Sequence, residues 1–124
     1  MRLIDTHTHL FLEQFNDDLD SVIRAAKNEH IDTFILPNVD HQTLDALLAT
    51  CKKYHECKPA IGLHPTSVDQ NWKDKIEKID EAINTTPSIV AIGEIGIDLY
   101  WDNTFIEEQR QAFIYQLNRA RELD

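Results

Sequence analysis

The run Ile89-Val90-Ala91-Ile92 is apolar at every position, as is Phe34-Ile35-Leu36 earlier in the chain. A strand with one face in water alternates apolar and polar residues. An unbroken apolar run suits a strand covered on both faces, as in a parallel sheet flanked by helices. Working outward, four β-rich segments stand out, at residues 2–9, 32–39, 58–64 and 88–95. Each is followed by helical periodicity. The stripes are Leu19, Val22, Ile23 and Ala26, then Leu44, Leu47, Leu48 and Cys51, then Trp72, Ile76, Ile79 and Ile83. The fourth is Ile106, Phe113, Leu117 and Ala120, interrupted by Gln109, and Thr104 with Glu107 predicts a capping box at its start.

Strand and helix alternate with a pitch of about 29 residues. The expected fold is therefore α/β: four consecutive βα units with a parallel sheet, the first half of a (β/α)8 TIM-type barrel. A complete barrel at this pitch takes roughly 230–250 residues. Periodicity leaves open a four-stranded sheet with helices on both faces. No Ser/Gly-rich or low-complexity segment divides the chain, so residues 1–124 are expected to form a single domain.

The composition, 42% hydrophobic and 27% charged, is that of a globular protein, and no apolar run approaches the ~20 residues of a membrane span. With no export signal at the start, the expected location is cytoplasmic. Cys51 and Cys57, with no further cysteines, are expected to be reduced structural residues. The net charge of -10 excludes a nucleic-acid coater held by phosphate contacts. It does not exclude a nuclease whose local positive charge is a metal ion.

Polar residues gather at the C-terminal ends of the runs: His7 and His9, Asn38 and Asp40, His64, and Glu94 with Asp98. That end carries the chemistry in (β/α)8 enzymes. In Ile4-Asp5-Thr6-His7-Thr8-His9-Leu10 the two imidazoles, i and i+2 on a strand, face one side with Cα atoms roughly 6.5 Å apart, and can share one cation. Asp5, on the same face, is placed to orient a ligand ring through its other nitrogen. Glu94 stands between Gly93 and Gly96, which serve either turn geometry or close approach of backbone and ligand to a metal-binding carboxylate. Imidazoles with carboxylates suit Zn²⁺, Mn²⁺ or related divalent ions and exclude a thiolate site. His64, before Pro65, is either a strand-end histidine bonded to a loop carbonyl or a substrate contact to a phosphate oxygen. Tyr100 and Trp101 either stack on a base or pack their loop. Phe11 and Phe15 either line a pocket mouth or pack the first helix. His30 and His55, on predicted helices, and His41, at a predicted helix start, read as surface histidines.

The motifs Asp5-Thr6-His7-Thr8-His9, Gly62-Leu63-His64-Pro65 and Gly93-Glu94-Ile95-Gly96-Ile97-Asp98 together resemble the TatD family of metal-dependent deoxyribonucleases, within the amidohydrolase-type barrels. The segment Glu108-Gln109-Arg110-Gln111-Ala112-Phe113-Ile114-Tyr115-Gln116-Leu117 is similar to the one that follows the family's Gly-Glu-Ile-Gly motif, and the resemblance runs along the whole chain. It implies a (β/α)8 hydrolase acting on phosphodiesters of DNA through one or two divalent metal ions (Mg, Mn or Zn). His7 and His9 would ligate one ion, Glu94 would be the catalytic carboxylate bridging to a second, and His64 would contact substrate. Ile97 stands where the family more often has Leu. The family draws further ligands, two histidines and an aspartate, from strands five, six and eight, which this chain does not supply. The expectation is thus an N-terminal half, truncated and incomplete as a catalyst. Two other readings are a different amidohydrolase-type metal hydrolase, and a non-catalytic half-barrel that self-associates as a homo-oligomer through unpaired sheet edges.

Overall fold

The computed structural model describes residues 1–123. Among these, the parallel strands β1 (Leu3–Asp5), β2 (Ile31–Pro37) and β3 (Cys57–Ala60) lie in the order β1-β2-β3, each added beside the one before. Helices α1 (Leu19–Asn28) and α2 (Leu44–Lys53) connect them, and α3 (Trp72–Thr85) and α4 (Ile106–Glu122) follow. This is the βα repeat of a parallel sheet. Phe34 and Leu36 of β2 are buried beneath Ile23 of α1 and the Leu44 and Leu47 stripe of α2, in one core that reaches Ile76, Ile79 and Ala112. No helix among the described residues is long and apolar enough to cross a membrane.

The fourth run departs from expectation. It forms a single bridge, Ala60 with Ala91, reinforced by Val90 N–H donating to the Pro59 carbonyl (3.0 Å) and Gly93 N–H to that of Ile61 (3.2 Å). Among the described residues no strand lies on its far side, so Val90 is 50% exposed instead of covered on both faces. The run borders a groove of about 600 Å³ closed by Ala120, Arg121 and Leu123. At the opposite end of the sheet Leu3 and Ile4 are likewise exposed, and β1 stops at Asp5, short of the histidines.

Helix α4 overturns its predicted stripe. Ile106 and Leu117 are 49% and 46% exposed, whereas Gln109, Ala112 and Gln116 face the interior. The capping box does not form: Phe105 occupies the N-cap, and Thr104 donates its amide and hydroxyl to Asp102 Oδ1 at 2.8 and 2.6 Å. His30 and His55 lie in turns and not on helices, and Cys57 opens β3. Both cysteines are free. Burial pushes the Cys51 thiol up to about 12 and that of Cys57 to about 11, which makes them unreactive packing residues.

Candidate metal centre

The four residues singled out by the sequence meet around one carboxylate. Glu94 Oε2 lies 3.1 Å from His7 Nε2 and 3.7 Å from His9 Nε2, while Oε1 lies 3.2 Å from His64 Nε2. One donor atom from each of His7, His9 and Glu94 falls within 4.8 Å of the others.

These side chains are held by loop backbone at the ends of the strands. Past β1, Thr8 N–H donates to the Ile35 carbonyl (3.1 Å), which keeps the histidine loop alongside β2. Asp5 Oδ1 accepts from His7 N–H (3.1 Å), so Asp5 orients that residue's backbone and not, as expected, an imidazole. Fully buried Asn38, just past β2, ties the other loops together. Its amide N–H reaches the Ala60 and Gly93 carbonyls, its own carbonyl accepts from Glu94 N–H (3.0 Å), and its Nδ2 donates to the Gly62 carbonyl (3.0 Å). The close backbone approach falls on Gly62. A Cβ at Gly62 would lie 2.9 Å from the Gly93 carbonyl carbon, whereas one at Gly93 would meet Ala60 Cβ at 3.8 Å and one at Gly96 nothing within 4 Å.

The hydrogen-bond partners assign the ring hydrogens. His9 Nδ1 faces the Pro37 carbonyl at 3.0 Å, and a carbonyl only accepts, so Nδ1 carries the hydrogen and the Nε2 lone pair is free. His64 is the reverse. Its Nδ1 accepts from Thr66 N–H (3.1 Å), which leaves the hydrogen on Nε2, facing Glu94 Oε1 at 3.2 Å. Two near-identical side chains thus present opposite functions. The His9 lone pair confronts a carboxylate oxygen, an arrangement satisfied by a cation between them, and the two-imidazole, one-carboxylate donor set is that of a borderline divalent ion. His64 offers a proton donor beside it.

Sequence reasoning missed the braces. Gln116 Oε1 accepts from Leu63 N–H (2.7 Å) and its Nε2 donates to the Leu63 carbonyl (3.2 Å), clamping the residue before His64. Gln109 makes the same pair with Asp98, at 2.8 and 3.0 Å. Two glutamines seven apart, two helical turns and so on one face of α4, were the available signal. His41 is half-buried and not fully exposed. Its side chain is 16% exposed, and its Nδ1 lies 2.7 Å from Asp40 Oδ1 without hydrogen-bond alignment. Phe11 packs in the core, its ring edge-on to His9 at 5.7 Å, and Phe15 packs against the same core.

The family model for TatD-related DNases matches residues 4–124. The chain belongs to the TatD-related DNase family. Among TatD relatives it is 32% identical to the uncharacterized metal-dependent hydrolase YabD of Bacillus subtilis, covering 98% of this chain and 48% of that protein. It is 27% identical to the 3'-5' ssDNA/RNA exonuclease TatD of Escherichia coli, covering 98% and 46%. The crystal structure of YjjV, a TatD homolog from E. coli, superposes with a TM-score of 0.89 at 29% identity, over 98% of this chain and 47% of that one. A TatD-family hydrolase from Entamoeba histolytica, 18% identical with a TM-score of 0.71, shares the fold. The chain spans about half the length of the TatD relatives it matches, and its three-stranded parallel sheet with its helices corresponds to about half of their TIM-barrel fold.

Proposed function

We propose that His7, His9 and Glu94 hold a divalent metal ion in a hydrolase that cleaves phosphodiester bonds of DNA, with His64 as the substrate contact and residues 1–124 forming one domain. The observation that carries this is the pairing of the free His9 Nε2 lone pair with Glu94 Oε2 at 3.7 Å, beside His7 Nε2 at 3.1 Å. A bound divalent ion supplies electrostatic polarisation of a phosphoryl oxygen and activation of water. His64 presents its Nε2–H on the opposite side of the carboxylate, as a donor to a phosphate oxygen entering the site. Glu94 faces both, with Oε2 towards the histidine pair and Oε1 towards His64 Nε2, which brings the ion's ligands and the phosphate donor to one carboxylate. The relatives named as metal-dependent hydrolases and as a 3'-5' ssDNA/RNA exonuclease support a divalent ion and a nucleic-acid substrate.

Calorimetric titration of the 124-residue chain with Mn²⁺, beside a Glu94→Gln variant, tests the proposal. Micromolar binding that weakens at least tenfold in the variant, about 1.4 kcal/mol, is expected. Absence of binding, or equal affinity of the variant, would mean that these three residues hold no ion in this chain.

A further inference from the structure

Tyr100 and Trp101 follow directly on the Glu94 motif, and the sequence leaves open whether they pack or bind. They do not pack: they are 82% and 79% exposed, with the rings edge to face at 4.7 Å. Their loop is nonetheless braced. Gln109 holds both backbone groups of Asp98, Asp98 Oδ1 accepts from Tyr100 N–H (2.9 Å), and Thr104 is bonded twice to Asp102 Oδ1. A fixed backbone carrying two unused aromatic faces is preorganised for a flat apolar ligand.

Trp101 also lines a cleft of about 210 Å³ with Thr66, Asp98, Phe105 and Lys75. Thr66 is the residue bonded to His64 Nδ1, so the cleft joins the His64 loop to the aromatic pair. Its charges do not suit phosphate. Asp69, Asp98 and Asp102 line it, and Lys75 Nζ is taken by Asp69 Oδ2 (3.0 Å) and the Ser67 carbonyl (2.8 Å). What this surface offers a polynucleotide is a π-face.

We propose that Tyr100 and Trp101 form a stacking platform for a nucleobase of a single-stranded polynucleotide whose phosphodiester lies at the Glu94 site. This rests on the phosphodiester reading above. Recognition is by the ring faces and tolerant of base identity, since every base has a π-face.

Fluorescence anisotropy with a dye-labelled single-stranded oligodeoxynucleotide and an abasic strand of equal length, in Mn²⁺, tests the platform. The chain is expected to bind the base-bearing strand roughly 5- to 150-fold more tightly. Tyr100→Ala/Trp101→Ala is expected to lose that difference with little change in thermal midpoint, because both rings are largely exposed. Trp101 emission is expected to be quenched on binding, while Trp72, 8% exposed, contributes a constant background. Equal affinity for the two strands, no binding of either, or discrimination retained by the double variant would overturn the proposal. Base discrimination surviving in a chain that binds no Mn²⁺ would sink the phosphodiester reading and leave the platform standing.

Discussion

Replacing Gly62 by Ala tests how the carboxylate is positioned. The added methyl would lie 2.9 Å from the Gly93 carbonyl carbon and from Ile95 Cγ2, about half an ångström inside ordinary contact. Two of its three nearest atoms are backbone, so relief requires moving the peptide that carries Glu94. Overpacking of this kind costs about 1–3 kcal/mol. Against it stands the gain of about 0.4–1 kcal/mol from a stiffer unfolded chain, since Gly62 has no positive φ. The clash outweighs the gain over nearly the whole range, with a net loss of up to about 2.6 kcal/mol, or a thermal midpoint lower by up to about 10 °C for a chain of this size. Gly93→Ala, whose Cβ meets Ala60 Cβ at an ordinary 3.8 Å, is the control and should be as stable as the parent or more stable by up to about 1 kcal/mol. Urea denaturation gives the stabilities, and Mn²⁺ calorimetry reports the displacement of Glu94 as weaker binding in Gly62→Ala. A Gly62→Ala protein with unchanged stability and unchanged Mn²⁺ affinity would refute the close-approach argument.

Gln116→Ala strips both buried backbone groups of Leu63 of their partners and should cost about 2–5 kcal/mol in urea unfolding, whereas exposed Gln111→Ala should cost under about 0.5. Similar losses for the two would rule out the clamp. Buried Glu56 is held below its ordinary 4.5, chiefly by its hydrogen bond from Lys27. Its folded-state value being lowered, it stabilises the fold above that ordinary value and loses the contribution as pH falls through it. Between about pH 6 and pH 3 the parent should therefore lose more stability than Lys27→Met, and parallel profiles of thermal midpoint against pH would contradict this. Sheet edges open at Leu3–Asp5 and at residues 89–92 should make the chain self-associate with rising concentration in sedimentation velocity. A monomer at all concentrations would exclude edge pairing.

The order of strands and helices was legible in the sequence because each is a local pattern. Phe34-Ile35-Leu36 and the stripes of α1, α2 and α3 declare which face is apolar, whatever the rest of the chain does. Glu94 and the three histidines around its carboxylate were legible for a related reason: the C-terminal ends of parallel strands lie side by side at one edge of the sheet, so polar groups at those ends meet. Only the tertiary structure decided their roles, since the hydrogen on Nδ1 of His9 and on Nε2 of His64 is set by the Pro37 carbonyl and the Thr66 amide. It likewise decided the buried face of α4. Periodicity counts apolar residues and places Ile106 and Leu117 inward, yet a glutamine whose amide pairs with the backbone of Leu63, 53 residues away, is satisfied when buried, and no local pattern registers a partner at that distance.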